Sequence, residues 1–376
     1  MDFSLGEELE AVRDLAREIF SDRTSPERLR AVETSQSRVD ERLWADLADA
    51  GLVGVALPEA VGGAGLGPAG LCVLLEEQGR SVAPVPLWST LVGALAVAAH
   101  GDARTRALLL PPLVAGTARL ALALEEFGPA DPLAPQTFAA SAPGDAAPWR
   151  LTGQKAAVPS PTGASHVLVS ADTGAGTGLF LVAADAAGVT WEHAETTDHD
   201  LSGHLTLDGA PAEAVGTPGQ GAVEWTVRLA HTALAALQLG VTSGALGHAA
   251  DHLRERKQFG RPLATFQAVQ HQLADCYIDI DALRVTMWHA VDALSGGEAD
   301  EAEQESAALV ANWWASEAGL TTVHRVQHLH GGIGVDTDYP VHRHFLWGRQ
   351  IASTLGGARA QLSRLGDVLA QPAVAS

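Results

Sequence analysis

The sequence predicts an α+β fold in three segments: a helical N-terminal domain over residues 1–117, a middle β-barrel domain over 118–221 and a C-terminal four-helix bundle over 222–376. Three observations carry this. Apolar residues in the first third recur at spacings of three and four, the signature of helices with one buried face. The middle is made of short apolar or alternating runs separated by Gly, Pro and Asp clusters, which reads as strands and turns. The remainder holds long small-residue-rich helical stretches joined by short connections, as a bundle requires.

Element by element, Leu5, Leu9, Val12, Leu15, Ile19 and Phe20 mark the first helix, and Leu43–Leu52 repeats the pattern. LPEAVGGAGLG (57–67) interrupts it with proline and glycines. Helices follow at Ala69–Arg80, Leu87–His100 (stopped by Gly101) and Arg104–Ala115 (stopped by Gly116). Strands are expected at Leu120–Leu124, Trp149–Leu151, His166–Ser170, Leu179–Ala183, Val189–Glu192 and His204–Leu207, a spacing that suits a small barrel or sandwich, with Pro211–Gly221 as a connector. The four bundle helices are expected at Val223–Arg256, Phe266–Ser295, Glu301–His330 and Tyr339–Leu369. The small residues of the first imply close helix packing.

Composition excludes several classes of function. The chain has 376 residues, 47% hydrophobic and 18% charged, enough for sizeable cores. Its net charge is −21 and its only lysines are Lys155 and Lys257, which argues against a nucleic-acid surface. The amphipathic start MDFSLGEELEAVRDLAREIF has no apolar signal core, and no uninterrupted apolar run reaches the roughly 18–20 residues of a membrane span. A cytoplasmic protein is expected. Cys72 and Cys276 stand far apart in apolar contexts, as structural thiols do.

Two motifs stand out. RKQFGRPLATFQ (256–267) links the first two bundle helices, and HLHGGIG (328–334) followed by DTDYPVHR links the third to the fourth. An arginine in a last helical turn is favoured by the helix dipole alone, and a GGxG is commonly only a turn. Glycines also let a backbone approach a ligand closely, and helix-start amides suit anions. His324 and His328 stand four apart, a zinc-like spacing, but no Cys or Glu completes a set, so no metal is expected. Ser160 and Ser170 lack the glycine elbow of a nucleophile.

Taken whole, these strings resemble the acyl-CoA dehydrogenase family. LPEAVGGAGLG and LTGQKAAV resemble further parts of it, so the likeness covers essentially the whole chain. The resemblance implies an FAD cofactor reached across a subunit interface. Arg256 would pair with the pyrophosphate of the neighbour's FAD, Phe259 would pack near its adenosine half, Gln267 would hydrogen-bond nearby, and His328, Gly331 and Gly332 would line the same cofactor.

The departures from the family pattern are as informative. Where the family has TEPGAGSD, this chain has LEEFGPAD (124–131). Where a tryptophan and a hydroxyl normally stand beside the chain's own flavin, it has KAAVPS (155–160), with Ala157 and Pro159 at those places. The family's catalytic glutamate falls at Leu355 or Gly356, and residues 339–366 contain no acid at all. A carboxylate is what α-proton removal needs. The first bundle helix, where some relatives carry the base, reads LAHTALAA (229–236), and Glu224 lies nearly two turns away. The losses fall on the chain's own flavin side, while the elements aimed at a neighbour's flavin are kept. The pattern resembles the base-lacking subunit of heteromeric α2β2 steroid-type enzymes. It implies a homologous partner subunit, an acyl-CoA substrate and an electron-transferring flavoprotein. The competing readings are an autonomous dehydrogenase using Glu126 or Glu224, and a non-catalytic interaction protein.

Overall fold

The structure, a computed structural model, describes residues 5–128, 131–144, 147–296 and 299–370. Pro129 and Ala130, within LEEFGPAD, lie outside the described residues. The helical first part comprises α1 (Glu7–Arg23), α2 (Pro26–Glu33), α3 (Glu41–Asp49), α4 (Gly67–Arg80), α5 (Leu87–His100) and α6 (Ala103–Val114). Seven strands follow: β1 (Leu120–Ala123), β2 (Phe138–Ser141), β3 (Trp149–Val158), β4 (His166–Asp172), β5 (Thr177–Ala183), β6 (Val189–Glu195) and β7 (Leu201–Val215). The last part is α7 (Ala222–Glu255), a hairpin of β8 (Lys257–Gln258) and β9 (Arg261–Pro262), α8 (Gln267–Leu294), α9 (Glu301–His330), α10 (Val341–Ser353) and α11 (Gly357–Ala370).

By contacts the chain resolves into two compact units, residues 1–30, 72–83 and 231–376 in one, and 31–71 and 84–230 in the other. In the second unit, strands β4, β2, β3, β7 and β5 pair in sequence and the β4–β5 ladder closes the ring. β1 runs parallel to β4, and β6 lies antiparallel to β7. Leu151, Val167, Val169, Phe180, Val182, Leu205 and Leu207 fill the interior. β4 is apolar on both faces because Leu168 also packs outward, near Gly93 of α5. Thr90 Oγ1 on that helix donates to the Leu120 carbonyl at 3.0 Å, fixing helix to strand.

The first unit is helical. α7 crosses α4 with backbones nearly touching. A Cβ added to Gly240 would meet the Glu76 carbonyl oxygen at 1.9 Å, and one on Gly79 the Leu237 carbonyl oxygen at 2.1 Å. The small residues of α7 thus serve close packing, as its composition implies. α7 is the one described helix long and apolar enough to cross a membrane, but 83% of its apolar window is buried inside the protein. Asp300 caps α9 by accepting from the Glu303 amide at 2.9 Å.

Two expectations need correction. The stretch Tyr339–Leu369 is not one helix: Leu355, at φ 57°, turns left-handed, Gly356 and Gly357 also have positive φ, and α10 and α11 diverge there. The fourth member of the expected four-helix bundle is therefore a broken pair. The expected connector Pro211–Gly221 begins as strand, since β7 runs on to Val215. Pro211 is tolerated there although it removes a donor from the ladder. Helix α2, eight residues long, and strand β2, with one buried residue in four, are elements that the sequence reading does not include.

Candidate functional site

Helix α7 ends in a tight β-hairpin whose turn is Phe259–Gly260. Both residues have positive φ, 52° and 79°, the conformation of a type I′ turn. Glycine adopts it freely; phenylalanine does not, and its ring is 92% exposed. The ring meets Phe266 edge-on at 6.2 Å but is otherwise open to solvent, so the strained backbone makes Phe259 a candidate functional residue. The Arg261 guanidinium lies 4.1 Å over the Phe266 ring and braces the hairpin against the start of α8, where Gln267 is exposed. Among the described residues, Arg256, Lys257 and Arg261 pair with no carboxylate, so a small cationic patch stands on a strongly acidic protein.

Helix α9 ends beside it. Gly331 has φ 64°, which an L side chain rarely adopts, and Gly332 follows on a short 3-10 turn. A Cβ at either position would meet nothing within 4 Å, so neither is small for packing reasons. Gln327 Nε2 donates to the Gly334 carbonyl at 2.6 Å and closes the loop, while His328 faces solvent on the last turn. Aromatic rings join the two helix ends. His252, one turn before Arg256, stacks on His330 with centroids 4.8 Å apart and planes 24° apart, and Tyr339 packs on His330 at 5.3 Å. His330 Nδ1 donates to the Val326 carbonyl at 2.8 Å. Burial pushes the imidazoles of His248, His252 and His330 below their ordinary range.

The structure thus brings Arg256, Phe259 and Gln267 to the same end of one helical unit as His328, Gly331 and Gly332. All six are exposed, and among the described residues the side chains of Arg256, Gln267 and His328 make no hydrogen bond within the chain. A free guanidinium, an exposed ring and open glycine backbone fit the diphosphate and adenosine parts of a dinucleotide. His324 does not join them, since its ring packs edge-on against Phe345 at 4.8 Å.

The described residues of LEEFGPAD and KAAVPS behave in the opposite way, because polar groups there are consumed internally. Glu126 accepts from the Gln136 and Thr137 amides, from Thr137 Oγ1 and from Lys155 Nζ, at 2.6–3.0 Å. Burial opposes its ionisation, but Lys155 and the other donors outweigh this and hold the carboxyl below the usual range. The Ala157 amide donates to His204 Nδ1 at 3.1 Å, and Phe127 packs on the His204 ring at 5.0 Å. Ser160 gives its amide to Asp200 Oδ2 at 2.9 Å and its hydroxyl to Oδ1 at 2.7 Å. Backbone amides that could have faced a ligand are capped by the chain's own side chains.

Comparison with known proteins decides the family. The profiles described as acyl-CoA dehydrogenase N-terminal domain and acyl-CoA dehydrogenase C-terminal domain match residues 6–117 and 219–368. Acyl-CoA dehydrogenase FadE27 of Mycobacterium tuberculosis is 36% identical over 378 residues, covering 99% of each chain. The chain belongs to the acyl-CoA dehydrogenase family. Its members are flavoproteins that bind FAD and oxidoreductases acting on CH–CH bonds. Among solved structures, a variant of the Tcur3481-Tcur3483 steroid ACAD is 62% identical, with a TM-score of 0.93 over 98% of this chain and 99% of that one. The ChsE4-ChsE5 complex from Mycobacterium tuberculosis is 35% identical, with a TM-score of 0.92 over 99% and 100%. Both are heteromeric complexes of acyl-CoA dehydrogenase subunits.

Sequence reasoning singled out these six residues because they sit in strings that resemble those of acyl-CoA dehydrogenases, and the structure shows that they are exposed and lie together. It missed His252 as a contributor. The available signal was its spacing, four residues before Arg256 on the same helix face.

Proposed function

We propose that this chain is the base-lacking subunit of a heteromeric, cytoplasmic, FAD-dependent acyl-CoA dehydrogenase that converts an acyl-CoA thioester to the 2,3-enoyl-CoA. It works with a homologous partner subunit in an α2β2 assembly, on a bulky acyl group such as a steroid side chain, and passes electrons to an electron-transferring flavoprotein. Bound FAD supplies the acceptor for the two electrons removed with the β-hydrogen. The partner supplies the carboxylate base and the contacts to the flavin ring. This chain contributes Arg256 to the diphosphate, Phe259 and Gln267 beside the adenosine half, and His328, Gly331 and Gly332 as an open backbone lining.

One asymmetry carries this reading. The groups suited to a neighbour's cofactor are exposed, and among the described residues the side chains of Arg256, Gln267 and His328 make no hydrogen bond, whereas the Ala157 and Ser160 amides on the chain's own side are capped by His204 and Asp200. An undirected loss of function would not sort in this way. The named heteromeric relatives are consistent with it. A role for Glu126 as an autonomous base is disfavoured, since both its oxygens already accept hydrogen bonds. Glu224 makes a weak contact with Thr177 Oγ1 at 3.5 Å and sits in the first turn of α7, at the opposite end of that helix from the motif.

The test is expression of the chain alone and together with its homologous partner. Expected are no flavin and no acyl-CoA oxidation from the chain alone, and FAD in the complex. Arg256→Ala should strip FAD from the complex without dissociating the subunits. Flavin content unchanged by Arg256→Ala, or dehydrogenation by the isolated chain, would refute the proposal.

A further inference from the structure

We infer that His252, His330 and Tyr339 act together as a positioning clamp that sets Arg256 against the Gly331–Gly332 loop and releases it as pH falls. The inference rests on the proposed role of these two elements in holding a partner-bound FAD.

Arg256 and the glycine loop belong to different helices, and both are exposed. Their relative placement therefore depends on what joins α7 to α9 at this end. The join is aromatic. His252 lies one turn before Arg256, whose amide donates to the His252 carbonyl at 2.9 Å, so the His252 ring and the backbone that carries the Arg256 side chain share one helix terminus. His330 immediately precedes Gly331, and its Nδ1 is fixed to the Val326 carbonyl. The two imidazoles stack at 4.8 Å, and Tyr339 packs against both, at 6.2 Å from His252 and 5.3 Å from His330. His342 Nδ1 donates to the Tyr339 carbonyl at 2.6 Å and pins the segment that carries the tyrosine.

Two neutral imidazoles stack favourably; two imidazolium rings at this separation repel. The surrounding charges divide. On α7, Asp251 and Glu255 favour a charged imidazole, while Arg256 opposes it at His252. His330 opposes charge on both His248 and His252. On α10, His344 packs edge-on against His248 at 5.1 Å and gives its Nε2–H to the Arg80 carbonyl of α4. Burial heads the causes at His248, His252 and His330, so all three are neutral at physiological pH. Their folded-state values lie below the ordinary 6.5. The assembled clamp is therefore fully favoured above that value and loses stability as pH falls below it.

The experiment is an FAD titration of the two-subunit complex, followed by flavin fluorescence between pH 7.5 and 5.5. For the wild type, the dissociation constant should rise about tenfold or more across this range. His252→Phe keeps a ring but cannot take a proton, and it should bind FAD with little pH dependence. His252→Ala should bind weakly at every pH. A flat wild-type profile, a His252→Phe profile that follows the wild type, or tight binding by His252→Ala would each overturn the clamp. If His252→Ala fails to assemble, the His252→Phe profile decides alone. Arg256→Ala run alongside separates the two ideas. If it loses FAD while the histidine variants behave as wild type, only the clamp falls. If it keeps FAD, the trans role falls and the clamp with it.

Discussion

Lys155 Nζ lies 2.8 Å from Glu126 Oε1 with its side chain wholly sealed from solvent. Besides Glu126, the ammonium contacts Ser170 Oγ at 3.0 Å, whereas the carboxylate has three further donors from Gln136 and Thr137. The pair ties the end of β1 to β3, β4 and the approach to β2, so an acid that looks like a spare base in the sequence is a strut. Burial draws Lys155 down to about 8 although Glu126 pulls the other way.

That imbalance predicts unequal costs. Glu126→Ala leaves a buried ammonium with one hydroxyl, and urea unfolding should show a loss of about 3–5 kcal/mol. Lys155→Met leaves a carboxylate still held by three donors and should cost less, by about 1 kcal/mol or more. The pH dependence follows. Between about 8 and the ordinary 10.5 the unfolded chain binds more protons at this lysine than the folded chain, so stability rises with pH in that window. Lys155→Met should abolish the rise. Equal costs for the two variants would show that hydrogen bonding does not distinguish the partners.

The turn at Phe259 predicts a trade between stability and cofactor binding. Asn tolerates positive φ, and Asn-Gly is the preferred type I′ pair. Phe259→Asn should therefore raise the melting temperature of the isolated chain, by about 0.5–1 kcal/mol of stability, while lowering FAD retention in the complex. A variant that is neither more stable nor poorer in FAD would remove the functional explanation for the strain.

How much of this was legible in the sequence depends on the range of the interaction. The three-part texture and most helices follow from local periodicity, and Leu87–His100 and Glu301–His330 fall where their patterns place them. The break at Leu355 does not, because the apolar residues on either side stay in helical phase and only the backbone of 355–357 departs from it. β2, with one buried residue in four, offers no alternation to read. At the site, Arg256 and the HGG loop were visible as strings, but the His252–His330 stack joins residues 78 apart in sequence and exists only once α7 and α9 are packed.

Buried His344 should make the protein acid-sensitive in a measurable way. Burial, then the neighbouring His248, lowers its value to about 3, so it stays neutral in the fold while an unfolded histidine takes up a proton below 6.5. Its contribution is present above 6.5 and is lost as pH falls toward 3. In His344→Gln the slope of unfolding free energy against pH should be shallower by about 1.4 kcal/mol per unit between pH 6 and 4. Parallel curves for wild type and variant would mean that His344 is protonated in the folded state.

Restoring an acid at the α10–α11 break should not restore an enzyme. Leu355 is 4% exposed, and its carbonyl accepts from Gln361 Nε2 at 2.8 Å, so the position is packed and its backbone held. Leu355→Glu exchanges buried apolar surface for a carboxylate and should cost about 2–4 kcal/mol. Leu355→Met, which conserves volume, should cost less than about 1.5 kcal/mol, separating buried charge from lost packing. With the Ala157 and Ser160 amides already taken by His204 and Asp200, the glutamate variant alone should still bind no flavin and oxidise no acyl-CoA in an assay with an artificial electron acceptor. A base is of use only beside a bound flavin, and these two amides on the chain's own side are not free to hold one. If Leu355→Glu alone became an acyl-CoA dehydrogenase, the capped amides would be no obstacle to flavin, and the division of labour between two subunits would have to be abandoned.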